Sequence, residues 1–249
     1  MLNLIKPYDI KQPKVRLGPK TPGPHNHGDG GYVTNEIVIT ESVALFTYGV
    51  AGDIRYEEEY AKKYNKPAYL YDFTVDQPAE PAPGLKFKKE GIGINKPQCK
   101  DFLFHYNENK IKGDVLLKID VEGAEYDYFI NADIRAIADV TTGIILEVHA
   151  LEQQNYRDQL VEVLTKLKPY YFLTHTHGNN WGGTFDLIER INESKFTGYV
   201  VPRVMEFAFT NKRYADVAIP DNTKYPIDGL DLPNNANIPD NNLDFLNDF

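Results

Sequence analysis

Apolar runs of four to eight residues recur along this chain, each closing on a polar or glycine-rich stretch, with amphipathic segments between them. VALFTYG (43–49), PAYLYDF (67–73), LKFKKEGIGI (85–94), DVLLKID (114–120), TTGIILEVHAL (141–151), PYYFLTHTHGNN (169–180) and VPRVMEFAFTNK (201–212) read as strands, the third with a turn and the sixth running into a polar loop. Between the first two, Ile54, Tyr60, Ala61 and Tyr64 share a helical face, and Pro67 stands beyond the helix end. EYDYFINADI, from residue 125, begins another helix. Residues 152–168 are the most regular helical segment, with Tyr156, Leu160, Val163, Leu164 and Leu167 at helical spacing. Strands alternating with helices predict an α/β protein built on a mostly parallel sheet.

The ends of the chain break this pattern. Residues 1–35 are rich in Pro, Gly and His and are expected to form an irregular arm. Within it, residues 25–32 (HNHGDGGY) suit a glycine-hinged flap over a ligand, with a small metal loop as the other reading. Residues 215–249 are dense in Asn, Asp and Pro, which predicts an extended tail that wraps or stays mobile. The predicted organisation is an arm and flap (1–35), a main α/β domain (36–214) and the tail (215–249).

Composition narrows the classes. With 249 residues and 42% hydrophobic residues the chain can bury a single core. Its formal charge of −9 gives no overall field for nucleic acid or an anionic membrane. No run approaches a membrane span, and no apolar stretch marks a signal peptide. The single cysteine, Cys99, cannot form an intrachain disulfide, which fits a cytoplasmic protein.

In parallel α/β sheets ligands bind outside the carboxyl ends of the strands. Gly49–Asp53, Asp72, Asp120–Glu125, Glu147–His149 and His175–Asn180 should therefore line one edge. TYGVAGD (47–53) is a glycine turn between strand and helix. Gly49 and Gly52 let a ligand approach the backbone, although a plain tight turn would use them equally. The turn is neither a dinucleotide fingerprint nor a phosphate loop. Asp72, about twenty residues on, can accept both hydroxyl protons of a ribose, or simply cap a helix. Residues two apart on a strand share a face. Glu147 and His149 can thus converge, as can His175 and His177, to hold a divalent cation or to work as an acid–base pair. Ordinary hydrogen bonding is the plainer alternative. Asn179, Asn180 and Trp181, in HGNNWGG (177–183), suit a polar ring such as a sugar or a hydrogen-bonded surface loop.

TYGVAGDIRYEEEYAKKY, YLYD, DVLLKIDVEGAEYDYF and ILEVHAL together resemble the FkbM-type methyltransferases, a branch of the class I enzymes that use S-adenosylmethionine. KIDVEGAE is the most specific part, and the likeness covers roughly residues 16–210. It implies a Rossmann-like sheet of seven strands, the last antiparallel, with helices on both faces. It also implies that Gly49, Val50, Gly52 and Asp53 line the cofactor, that Asp72 holds its ribose, and that Asp120 sits beside the methyl group. The chain departs from the class in having no acid at the end of its first strand, where Phe46-Thr47-Tyr48 stand.

The resemblance leads to O-methylation of a sugar or nucleotide-linked sugar, for surface polysaccharide or glycan modification. His149, His177 and Asp120 are the expected catalytic groups, and Tyr32, Glu122, Asn179, Asn180 and Trp181 would meet the acceptor. A magnesium or manganese ion, if used, would sit on Asp120, Glu147 and His149. Two other classes stay open: a nicotinamide-dependent nucleotide-sugar oxidoreductase or epimerase, and a non-catalytic sugar-binding protein. A homo-oligomer is compatible with the sequence.

Overall fold

The computed structural model describes residues 1–20, 29–76, 82–192 and 195–249. Its centre is a seven-stranded sheet. The strands are β1 (Leu45–Tyr48), β2 (Ala68–Tyr71), β3 (Leu85–Lys88), β4 (Val115–Ile119), β5 (Thr141–Val148), β6 (Tyr171–Asn192) and β7 (Lys195–Asn211). Their spatial order is β6-β7-β5-β4-β1-β2-β3. The pairs among β1 to β5 are parallel, and β7 lies antiparallel between β5 and β6. This is the Rossmann-like architecture expected from the sequence.

Six α-helices accompany the sheet among the described residues: α1 (Glu36–Thr40), α2 (Arg55–Tyr64), α3 (Phe102–Glu108), α4 (Ala124–Asn131), α5 (Ile134–Ala138) and α6 (Gln154–Leu167). Successive residues of the central strands feed opposite faces. Leu45, Leu116 and Ile145 pack with Val38 and Ile39 of α1 and Tyr56, Tyr60 and Ala61 of α2. Phe46, Leu117 and Ile144 pack with Phe102, Phe129, Ile137, Leu160 and Leu164 on the other side. Burial on both faces is why these strands read as unbroken apolar runs. The exception is Lys118, which points to the α2 face and is buried 3.5 Å from Glu57. Helix α2 ends where Asn65 takes a left-handed conformation (φ 53°), one residue short of the Lys66-Pro67 pair.

Three expectations need correction. Residues 177–183 are not a loop. They belong to β6, which pairs with β7 on both sides of an irregularity between Asn179 and Thr184. The arm is not wholly irregular either. Lys14–Leu17 pairs antiparallel with Tyr32–Asn35, and Tyr8–Asp9 pairs with Ile219–Pro220. Helices α1 and α3 escaped the sequence pattern because five and seven residues are too few to show a period.

The tail folds over the sheet, and Tyr225, Leu243 and Leu246 join the main core together with Leu2 and Ile5. The first part of the expected flap, including His25, His27 and Gly28, lies outside the described residues. No helix among the described residues is long and apolar enough to cross a membrane.

Candidate active site

The turn after β1 and the end of β4 approach each other closely. Gly49 has φ 79°, and a Cβ there would lie 1.5 Å from the carbonyl oxygen of Asp120. Only glycine permits this contact. Asp72 secures the turn from β2. Its Oδ2 accepts the backbone N–H groups of Val50 (3.1 Å) and Ala51 (3.0 Å), and its Oδ1 accepts the N–H (2.7 Å) and hydroxyl (2.6 Å) of Thr74. Burial alone would raise the Asp72 pKa, but these bonds outweigh it and hold the carboxyl below its usual range.

A cavity of about 450 Å³ opens here, lined by Gly49, Ala51, Asp72, Phe73, Asp120 and Glu122 among others. Three of the expected cofactor residues do not line it. Val50 packs in the core beside α2. Gly52 faces open space, and Asp53 is ion-paired with Arg55.

Beyond Asp120 the carboxyl ends of β4 and β5 meet the Tyr32–Asn35 strand. The Tyr32 hydroxyl lies 3.0 Å from Asp120 Oδ2 and 2.7 Å from Glu147 Oε2. One hydroxyl proton serves one carboxylate, so the second close contact requires a proton on one of the two acids. The electrostatics agree. Burial lifts the Asp120 carboxyl to about 6, against the pull of Lys118 and His149. Burial together with the charges of Asp120 and Glu206 pushes Glu147 well above the carboxylate range.

His149 completes the group. Its Nε2 is 3.7 Å from Asp120 Oδ1, 3.5 Å from Glu122 Oε2 and 3.7 Å from Glu147 Oε1. Its Nδ1 and its backbone N–H both contact Glu125 Oε1 at 3.2 Å. Burial opposes protonation of the ring, but Glu125, Asp120 and Glu122 prevail and the His149 pKa is raised. Asp120, Glu147 and His149 can each offer one ligand atom, all within 4.8 Å of one another.

His177 is not in this group. Its Nδ1 is 3.1 Å from Glu206 and its Nε2 is 3.1 Å from Asp240, and these partners raise its pKa to about 10 despite burial. A ring with both nitrogens committed to carboxylates has no lone pair to take a substrate proton, which argues against the base role expected for it. His175 does not converge with it on one point, since its Nε2 binds Asp231 at 2.9 Å. Asn180 donates to the Asn235, Ile238 and Pro239 carbonyls and so anchors the tail. Trp181 is 47% exposed and stands outside the cavity lining. Asn179 does reach the acid group, donating to Glu147 Oε1 at 3.0 Å.

Several residues of the site were missed from the sequence. Glu125 was expected only as one of the acids along the ligand edge, yet it is buried and holds His149. Lys118 carried a signal: a lysine inside an apolar strand must find a buried partner. Asp29 and Asn234 carried none, because only the folded tail and arm bring them together.

This fold, with a glycine turn, an acid at the end of β2 and a cavity between them, defines a Rossmann-like α/β protein with a ligand site at the strand ends. Residues 24–191 match the methyltransferase FkbM domain. The chain belongs to this family and is a methyltransferase. No curated protein matches it by sequence. Among solved structures, it is similar to a precorrin-6y C5,15-methyltransferase from Geobacter metallireducens GS-15. The identity is 10%, the match covers 69% of this chain and 80% of that one, and the TM-score is 0.33. It is also similar to an rRNA methylase from Streptococcus thermophilus, at 7% identity, covering 70% and 89%, with a TM-score of 0.35.

Proposed function

We propose that the protein is an S-adenosylmethionine-dependent O-methyltransferase acting on a hydroxyl of a sugar or nucleotide-linked sugar. The observation that carries the reading is the cavity that runs from Asp72 to Asp120 and ends at the acid group. Its volume of about 450 Å³ suits a cofactor of this size. Gly49 gives the backbone close access, Asp72 stands where a ribose would lie, and Asp120 and Glu122 are anionic walls for a cationic sulfonium. The cofactor supplies an electrophilic methyl group.

The chain must then align the acceptor oxygen and take its proton, because an alcohol is a poor nucleophile at neutral pH. Asp120 faces the cavity, and its carboxyl, raised to about 6, is ionised at neutral pH yet basic enough to accept a proton. His149 suits a base less well, since its raised pKa keeps it charged over more of the neutral range. As an imidazolium it steadies the ionised Asp120. Tyr32, Glu147 and Asn179 bound the acceptor side.

A second reading rests on the spacing of Asp120, Glu147 and His149. These oxygen-rich ligands suit magnesium or manganese, which would lower the acceptor hydroxyl's pKa.

The deciding experiment is release of S-adenosylhomocysteine from a panel of nucleotide sugars, before and after exhaustive EDTA treatment. Turnover that survives EDTA and is lost in Asp120→Asn supports the Asp120 base. Turnover lost to EDTA and restored by manganese supports the cation. No turnover with any hydroxyl acceptor would overturn the sugar O-methyltransferase reading.

A further inference from the structure

The C-terminal tail lies beyond the family match, which ends at residue 191. One of its residues nevertheless connects to the site. Asn234 is fully buried, and its amide donates to Glu206 Oε1 at 2.7 Å and to Asp29 Oδ1 at 2.8 Å. Asn179 does the same on the other side of Asp29, donating to Asp29 Oδ1 at 3.3 Å and to Glu147 Oε1 at 3.0 Å. Glu147 and Glu206 are register partners across β5 and β7. Two buried carboxyls placed directly opposite each other on paired strands repel when both are ionised, and burial strengthens the effect. Each of these two carboxyls is met by an asparagine amide, and both amides meet on one Asp29 oxygen.

The arrangement is directional. Both amide nitrogens face carboxylates, so flipping either would set its carbonyl oxygen against an acid. From Glu147 the chain of contacts continues to the Tyr32 hydroxyl at 2.7 Å and on to Asp120 at 3.0 Å. Asp120 lines the cavity.

We propose that the C-terminal tail is part of the methyl-transfer site, with Asn234 as a positioning residue. It acts through Asp29 and Asn179 to hold Glu147, Tyr32 and Asp120 in the arrangement the acceptor meets. The proposal rests on the reading of this acid group as the acceptor side. A mere strap would need only the tail's other anchors to the body, such as the Tyr225 hydroxyl, which accepts from Lys14 Nζ at 2.9 Å.

Three variants test it: Asn234→Ala, Asp29→Ala and Tyr225→Phe. Asp29 sits in a half-buried turn and carries the same link, so it serves if Asn234→Ala does not fold. Crystal structures of Asn234→Ala or Asp29→Ala should show the Tyr32 hydroxyl more than 3.5 Å from Glu147 or Asp120. Tyr225→Phe, which loosens the tail elsewhere, should keep both contacts. Turnover with the nucleotide-sugar panel should fall by about tenfold or more in kcat in the first two variants, with KM for S-adenosylmethionine unchanged, as displaced reacting groups require. The proposal is overturned if the first two keep both contacts and full kcat, or if Tyr225→Phe opens the contacts equally. Should the wild-type chain turn over none of the panel, the acceptor assignment fails, while the contacts still decide the role of the tail.

Discussion

Glu125 holds His149 at two points: one carboxyl oxygen lies 3.2 Å from both the backbone N–H and the ring Nδ1 of His149. Its other oxygen accepts the Gly123 N–H at 2.8 Å. The acid run that follows β4 therefore divides its work. Asp120 faces the cavity, and Glu125 turns inward to fix the ring that stands beside Asp120.

Replacing Glu125 with Gln removes the charge and keeps the shape. The His149 pKa is raised against burial by Glu125 first and by Asp120 and Glu122 after it. In Glu125→Gln the ring should titrate at lower pH than in wild type. Proton NMR of the imidazole resonances reads this directly. An unchanged midpoint would show that Glu125 does not set the ring's charge.

His177 gives a stability prediction with a definite sign. Its pKa rises on folding from 6.5 to about 10. A raised pKa means that the folded state binds the proton more tightly. Its contribution is complete below pH 6.5 and is lost as pH rises toward 10. The melting temperature should fall across that window in wild type and much less in His177→Gln. At pH 7, His177→Ala should cost about 3–5 kcal/mol, since it leaves Glu206 and Asp240 without their shared cation. Parallel pH profiles in the two proteins would refute the assignment.

Gly49→Ala should abolish binding of S-adenosylhomocysteine. The added Cβ would meet the Asp120 carbonyl at 1.5 Å, and the φ of 79° is itself strained for alanine. The turn and the end of β4 must move apart, and the cavity wall moves with them. Equilibrium dialysis measures the loss. Wild-type affinity in this variant would mean that the turn is no part of the cofactor site.

Much of this was legible in the sequence because the signals are local. The parallel strands announce themselves through runs such as VLLKI, buried on both faces, and Gly49, Asp72 and Asp120 fall at strand ends that the pattern places along one edge. What was not legible depends on distant pairing. HGNNWGG looks like a loop because it is polar and glycine-rich, and only the pairing of His177–Asn179 with β7, resumed at Thr184, carries β6 through it. His177 looks like a base until Asp240, 63 residues on, closes over its second nitrogen. Tyr32 read as part of a flap, yet it is buried in a strand between two acids.

Asp72→Ala should weaken binding of S-adenosylhomocysteine by about 1.5–3 kcal/mol, the cost of losing hydrogen bonds to a charged group. The same change frees the Val50 and Ala51 amides, so hydrogen exchange at those two positions should quicken. Slow exchange with weakened binding would assign the loss to ribose contact alone.

Calorimetric titration of the full chain decides whether the cavity between Asp72 and Asp120 holds S-adenosylmethionine. One S-adenosylhomocysteine should bind per chain, with heat that diminishes in Asp72→Ala and vanishes in Gly49→Ala, and NAD should give no heat. Binding of NAD in place of S-adenosylhomocysteine, or S-adenosylhomocysteine binding left intact by both substitutions, would contradict it.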